Sequence, residues 1–177
     1  MNDHISTSWP TAIFETMKRQ NVAQIAYVPD AGHAKLIDLC RDEKSMRLVP
    51  LTTEEEGIAL LSGAWLGGQR GALLMQSSGV GNCINMLSLA RTCRFPLLML
   101  VTMRGQWGEF NPWQVPMGQM TDGVLQMSEV MTFNVDEANA VGDTVHAAAT
   151  MAFEGPGLAA VLLSQRLIGA KTFQGDE

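Results

Sequence analysis

Acidic and glycine-rich segments in the first half of the chain have residue types that could bind a polar cofactor. Three consecutive carboxylates, Glu54, Glu55 and Glu56, stand at the predicted start of a helix, and the segment MQSSGVGN, residues 75–82, follows a short apolar run. Carboxylates can share or transfer protons, and glycines allow a flat ring to approach the backbone closely. This combination suits a polar ring better than a phosphate group.

Each of these residues also has a purely structural explanation. Acids in the first turn of a helix complement its macrodipole, by about 0.3–1 kcal/mol each at an exposed site, and we prefer this explanation for Glu54 and Glu56. Gly79 and Gly81 could simply shape a tight turn between a strand and a helix. A dinucleotide-binding fingerprint is disfavoured because Ile84 stands where its third glycine would be. The sequence also lacks the GxxxxGK[ST] pattern of a phosphate-binding loop.

The hydrophobic pattern predicts strands that alternate with helices along the whole chain. Short connections between such elements are typical of an α/β fold with a doubly wound, mostly parallel sheet and helices on both faces. We expect about six strands, at residues 23–28, 47–51, 72–75, 95–102, 131–135 and 158–163.

Two segments are predicted to be irregular. Residues 76–82 are expected to form a glycine-rich loop before a helix that begins at Cys83, and residues 103–119 are expected to form a long loop with two tryptophans. Loops of that length inside compact domains are usually functional or mobile. The length of 177 residues predicts one domain, 1–177, with residues 171–177 as a loose tail.

Ligands of doubly wound sheets bind beyond the carboxyl ends of the strands. Asp30, the segment from Gln76 to Asn82, and Arg104 all follow predicted strands, so we expect them to share one edge of the sheet. Simpler alternatives remain for some of these residues. Asp30 could be only a turn residue, His33 a surface helix residue instead of a base, and Arg104 a solvated cation instead of an anion site.

The bulk properties exclude several classes of partner. A net charge of −6 without a basic run argues against nucleic acid. The apolar run near residues 95–101 is too short to span a bilayer, and the first ten residues contain no apolar core of a signal peptide. Cys40, Cys83 and Cys93 match no zinc spacing and are predicted to be core thiols in a reducing compartment, the cytoplasm. The scattered histidines give no metal cluster.

The surface carries fewer charges than usual. Charged residues make up 17% of the chain, against about 25% in an average soluble domain. We interpret the difference as surface covered by another subunit, although a buried parallel sheet also raises the apolar content.

Taken together, the motifs resemble the Pyr domain of thiamine-diphosphate-dependent 2-oxoacid decarboxylases. The resemblance is greatest to the α subunits of the sulfopyruvate type and to the matching half of the phosphonopyruvate type. It is carried by VPD at residues 28–30, by Glu55 in TEEEGIALLSGAWL, and by MQSSGVGN, and it extends over nearly the whole chain.

The resemblance implies roles for the candidate residues. Glu55 would be the catalytic glutamate that hydrogen-bonds N1′ of the aminopyrimidine and favours its imino tautomer, although Glu54 and Glu56 leave its register open by one residue. The apolar neighbours Ile58 and Leu61 are expected to raise the pKa of Glu55. The other cofactor-binding residues would be Gln76, Gly79, Gly81 and Asn82. The substrate-side residues would be Asp30, His33 and Arg104, with Arg104 meeting the second anion of a small anionic 2-oxoacid.

The family resemblance also implies a partner. Family members hold Mg²⁺ and the diphosphate through a GDG motif and a later asparagine in a second domain, and this chain has no GDG; the nearest match is TDG at residues 121–123. The chain is therefore expected to be the α subunit of a hetero-oligomeric carbon–carbon lyase, with a β subunit that holds Mg²⁺. The alternatives are a non-catalytic scaffold or regulatory subunit and a carboligase that uses the same cofactor.

Overall fold

The computed structural model describes residues 8–169, so the predicted tail at 171–177 lies outside the described residues. The strands are β1 (Val22–Tyr27), β2 (Arg47–Pro50), β3 (Arg70–Gln76), β4 (Leu97–Thr102), β5 (Met131–Val135) and β6 (Leu158–Leu163). The α-helices are α1 (Trp9–Arg19), α2 (Ala34–Arg41), α3 (Glu54–Leu66), α4 (Ser77–Cys93), α5 (Val115–Met127), α6 (Val141–Glu154) and α7 (Gln165–Ile168). Short 3-10 turns cover Ala31–His33 and Pro112–Gln114.

The six strands form one parallel sheet in the order β2-β1-β3-β4-β6-β5. This confirms the predicted doubly wound α/β fold with about six strands. Since all strands are parallel, their carboxyl ends meet at one edge of the sheet. None of the helices in the described part of the chain is long and apolar enough to cross a membrane.

Two hydrophobic cores cover the two faces of the sheet. Alternate residues of each central strand serve different cores, so Leu74 packs with α1, α2 and α6 while Leu73 packs with α3, α4 and α5. Strands β4 and β6 are buried throughout, which explains their continuous apolar sequences. Each core is built from large side chains that are excluded from water, such as Ile13 in the first and Ile58 in the second.

The glycine-rich segment is helical, so the predicted loop at residues 76–82 is wrong. Gln76 has an extended backbone, and α4 begins immediately after it at Ser77, six residues before the predicted start. Each glycine in a helix costs about 1 kcal/mol relative to alanine, but packing on neighbouring elements outweighs this cost. The backbone carbonyl of Ser77 accepts a hydrogen bond from Thr121 Oγ1 at 3.4 Å, and Gly79 packs against α3.

The long loop is also shorter than predicted, because α5 begins at Val115 instead of Met120. Asn111 starts the preceding 3-10 turn by accepting a hydrogen bond from the Trp113 backbone N–H at 3.1 Å. Pro116 lies in the first turn of α5, where its missing N–H breaks no helical hydrogen bond.

Gly118 allows α5 to lie against the chain that leaves β4. A Cβ atom at this position would overlap the backbone carbonyl of Arg104, whereas a Cβ atom at Gly123 in the same helix would meet nothing within 4 Å. We therefore expect Gly118→Ala to lower the free energy of unfolding by about 1–3 kcal/mol through overpacking. The matched control Gly123→Ala should leave stability unchanged or raise it by up to about 1 kcal/mol.

Urea unfolding of the two variants beside the wild type measures both effects. Equal stabilities for the two variants would contradict the close contact between Gly118 and the Arg104 carbonyl.

Candidate active site

Glu54 is the acidic residue that the fold brings to the glycine-rich helix. It is the first residue of α3 and is only 9% exposed. Its carboxyl group lies so close to Gly79 that any side chain there would overlap it. Its Oε2 accepts a hydrogen bond of 2.8 Å from Asn82 Nδ2. A carboxyl group, an amide and a backbone without side chains thus meet where α3 and α4 touch.

The other two acids point elsewhere. Glu55 accepts a short hydrogen bond from Thr53 Oγ1, and Glu56 is exposed and accepts a hydrogen bond from the Thr52 backbone N–H at 3.0 Å. The hydrogen bond from Thr53, together with one from its own backbone N–H, lowers the pKa of Glu55. The expectation that Ile58 and Leu61 raise this pKa is therefore wrong, because the Glu55 carboxyl group lies beside hydrogen-bond donors.

A second polar group lies at the carboxyl ends of β1, β3 and β4. Asp30 accepts a short hydrogen bond from Gln76 Nε2, and its Oδ2 accepts hydrogen bonds from Thr102 Oγ1 at 2.7 Å and from the Gly32 backbone N–H at 3.0 Å. Gln76 Oε1 in turn accepts a hydrogen bond of 3.4 Å from Gln114 Nε2. Asp30 and Gln76 therefore share one edge of the sheet, as the sequence predicted, but they contact each other instead of the Glu54 carboxyl group.

Arg104 is bound to an acid of its own loop. Its guanidinium donates two hydrogen bonds to Glu109, from Nε to Oε2 at 2.8 Å and from Nη2 to Oε1 at 2.7 Å. Both side chains are nearly excluded from water, with exposures of 9% for Arg104 and 3% for Glu109. Glu109 thus accepts the two parallel hydrogen bonds from the guanidinium that were predicted to bind the substrate anion. Arg104 also borders a cavity of about 140 Å³ together with Asp30.

Glu109 holds the loop that follows β4. Besides Arg104, its carboxyl group accepts hydrogen bonds from the backbone N–H groups of Gly105 at 3.3 Å and Asn111 at 3.1 Å. Gln165 Nε2 adds another at 2.9 Å. Burial raises the pKa of Glu109, but the hydrogen bonds from Arg104, Asn111 and Gly105 and the positive charge of Arg104 outweigh it and lower the pKa to about 2. Glu109 could not be singled out from the sequence, because the groups that bond to it become neighbours only in the fold.

His33 does not reach the edge of the sheet. Its side chain is fully buried, and its Nε2 lies 3.0 Å from the backbone carbonyl oxygen of Leu100. Burial lowers the pKa of His33 despite the nearby Asp30 carboxylate. The interpretation as a surface helix residue is therefore wrong, because the ring is buried.

The cysteines match the sequence prediction only in part. Cys40 and Cys83 are buried free thiols whose pKa values burial raises to about 12. Cys93 is exposed at the end of α4, so it is not a core residue. No group of three or more potential metal ligands occurs among residues 8–169.

Comparison with known proteins identifies the family. Residues 9–126 match the model of the thiamine pyrophosphate enzyme family, N-terminal TPP binding domain. The chain belongs to this family. The match covers both α3 and α4, so the contact of Glu54 with Gly79 and Asn82 lies within the thiamine-diphosphate-binding domain. The resemblance found in the sequence is confirmed.

Curated relatives carry decarboxylase names. The chain is 37% identical over 123 residues to the sulfopyruvate decarboxylase subunit alpha of Methanocaldococcus jannaschii, covering 69% of this chain and 73% of that protein. It is 35% identical over 111 residues to the phosphonopyruvate decarboxylase of Streptomyces viridochromogenes, covering 62% of this chain and 28% of that protein. The longer decarboxylase thus matches through only a part of its length.

A solved structure shows the same fold. The 2-oxoglutarate:ferredoxin oxidoreductase from Magnetococcus marinus superimposes with a TM-score of 0.76 over 97% of this chain, at 15% sequence identity. This chain spans about a third of that protein, 34% of its length. At such low identity the likeness supports the fold alone.

The bonds to Glu109 lead to a prediction about the loop. Glu109→Gln should make the backbone amides of residues 105–111 exchange with deuterium faster, because the amide cannot replace an ionised acceptor of this many donors. Because the folded pKa lies below the usual value of 4.5, the wild-type carboxylate protects the loop fully above that pH. Its protection should fall as the pH drops from about 4.5 towards 2.

Hydrogen-exchange mass spectrometry at pH 7 and at lower pH measures both effects. Glu137→Gln, at an exposed acid before α6, is the control and should change nothing in residues 105–111. Wild-type exchange rates in Glu109→Gln at pH 7 would contradict the role of Glu109 in ordering the loop.

Proposed function

We propose that this chain is the α subunit of a heteromeric thiamine-diphosphate-dependent decarboxylase. Its substrate would be a small 2-oxoacid with a second anionic group, of the sulfopyruvate or phosphonopyruvate type. The observation that carries the proposal is the Glu54 carboxyl group, held against Gly79 by α3 and bonded to Asn82. The names of the relatives support the reaction and the substrate class.

We assign the cofactor glutamate to Glu54 instead of the predicted Glu55. Glu54 meets the glycine-rich helix, whereas the Glu55 carboxyl group is turned towards Thr53. The sequence had assigned this role to Glu55 but left Glu54 and Glu56 as alternatives, one residue to either side. When bound, thiamine diphosphate supplies the electron sink that accepts the electron pair left by departing CO₂. Glu54 would hold a proton at N1′ of the aminopyrimidine ring.

The surface around Glu54 fits an aminopyrimidine. Gly81 and Asn82 are exposed beside the carboxyl group, and Gly81 presents backbone with no side chain towards a flat ligand. A Cβ atom at Gly81 would lie 3.2 Å from Met117 Sδ, so a larger residue would crowd Met117 of α5. Asn82 would orient the Glu54 carboxyl group, and Gly79 would leave the room that this carboxyl group occupies.

For the substrate side we propose the group formed by Asp30 and Gln76. These polar side chains lie where ligands of such sheets bind, beyond the strand ends. Because Arg104 is already paired with Glu109, we do not assign it the second anion in this conformation. The partner subunit would supply that cation.

Substitution of the three adjacent glutamates tests the catalytic assignment. In the assembled enzyme, Glu54→Gln should lower the rate of CO₂ release about 10²–10⁴-fold, because an amide cannot exchange the proton. Glu55→Gln and Glu56→Gln are matched controls at the same helix start and should stay within a few-fold of the wild type. A large loss of activity in Glu55→Gln, together with an active Glu54→Gln, would show that Glu55 is the cofactor glutamate.

The partner would be a β subunit that holds Mg²⁺ and the diphosphate, since this sequence has no GDG motif. An exposed apolar surface on the layer of α3, α4 and α5 supports such a partner. Among the described residues, large exposed apolar side chains on these helices and the turn before α5 are Leu66, Ile84, Leu89, Trp113, Met120 and Met127. On the opposite layer of α1, α2 and α6, Met151 is the one exposed to a similar degree. This concentration of exposed apolar side chains on one layer supports an interface there.

Charge substitutions on the two layers test where the partner binds. Ile84→Asp should weaken the complex, because it places a charge in the proposed interface, whereas Met151→Asp on the opposite layer should leave it intact. Native mass spectrometry of the tagged full chain, expressed in its source cells, measures the bound partner and its stoichiometry. A partner lost in Met151→Asp but kept in Ile84→Asp would place the interface on the other layer.

A further inference from the structure

A second polar cavity lies at the other end of the sheet edge from Glu54. Its volume is about 500 Å³, and it borders the carboxyl ends of β5 and β6 and the loop after β4. In the sheet order, β4 and β6 separate β5 from β3, and Glu54 lies over the β3 side through its contact with α4. The cavity is therefore separate from the proposed cofactor site.

Two opposite charges line this cavity without neutralising each other. Arg166 places its guanidinium over the Trp107 ring, 5.3 Å from the ring centroid. Asp136, immediately after β5, lines the same cavity. Within residues 8–169, neither side chain forms an ion pair within 4.0 Å, with the other or with any other residue. A ligand that carries both charges could meet each of them separately.

The walls of the cavity are ordered before any ligand arrives. Gln165 Oε1 accepts the backbone N–H groups of Gln106 and Trp107, each at 2.9 Å. Gln106 Oε1 accepts the Gln165 backbone N–H at 3.1 Å in return. Ser164 is fixed to β5 by its backbone N–H, which donates to the Val135 carbonyl at 2.9 Å. A preordered site loses less conformational entropy on binding.

We propose that this cavity binds a small zwitterion of the α-amino acid class. Arg166 would bind the carboxylate and Asp136 the ammonium group. Asn134 and Ser164 add neutral polar groups to the lining. The volume lies in the range of small-molecule pockets. The site does not depend on the proposed decarboxylation, and binding there involves no covalent step.

Calorimetric titration of the full chain tests the proposal. The probes are L-alanine, L-leucine and L-phenylalanine, with propionate and ethylamine as single-charge analogues of alanine. We expect at least one amino acid to bind more tightly than either analogue. Arg166→Gln and Asp136→Asn should each weaken that binding about tenfold or more, and Glu137→Gln, an exposed acid next to Asp136, should leave it unchanged.

Three results would overturn the proposal. The first is no heat of binding for any of the three amino acids at concentrations on the order of 10 mM. The second is propionate or ethylamine binding as tightly as alanine, which would indicate a site for a simple ion. The third is binding that survives either Arg166→Gln or Asp136→Asn. Circular dichroism of both variants verifies that they fold, so that a loss of binding reports the site.

Discussion

The close approach of α3 to α4 is the constraint on which the candidate active site depends. Gly79 has no side chain, so the carboxyl group of Glu54 occupies the space that a Cβ atom would fill. Nearly one turn further along α3, Gly57 lies against Leu73 of the sheet, where a Cβ atom would come within 2.5 Å of Leu73 Cδ1. Helix α3 is thus packed closely against both the sheet and α4, and the Glu54 carboxyl group lies beside Gly79 and accepts a hydrogen bond from Asn82. A catalytic carboxylate needs such preorganisation, because small displacements from the reacting atoms cost rate.

A second constraint organises the other half of the sheet edge. Burying a charged pair is unfavourable unless the remaining hydrogen-bonding positions are satisfied. Glu109 meets that requirement with two bonds from Arg104, two backbone N–H groups and the amide of Gln165. The pair therefore orders the loop after β4, and the same loop carries Trp107 to the wall of the second cavity. Arg104 acts in this structure as a loop anchor instead of an open anion site.

The sequence predicted the sheet well because strands buried on both faces are apolar throughout, as β4 and β6 show. The start of α4 was predicted too late because glycine and serine have low intrinsic helix propensity. The packing that stabilises the first turn of α4 comes from residues that are distant in sequence. The choice among three adjacent glutamates could not be made from spacing alone, since only the contact with Gly79 and Asn82 distinguishes Glu54. The burial of His33 was missed for a similar reason, because the ring lies beside the backbone carbonyl of Leu100, a residue that is distant in sequence.

The two helix layers differ in a way that bears on how the proposed active site would be completed. Helices α1, α2 and α6 bury one side and expose a mainly polar one, whereas α3, α4 and α5 also expose large apolar side chains. Gly81 and Asn82 lie on this second layer and are themselves exposed. A flat cofactor ring resting there would be covered by this chain on one face only. Since exclusion of water from both faces would strengthen the action of the Glu54 carboxyl group, we propose that another molecule supplies the second wall. The apolar surface around Ile84 is where we propose that this molecule binds.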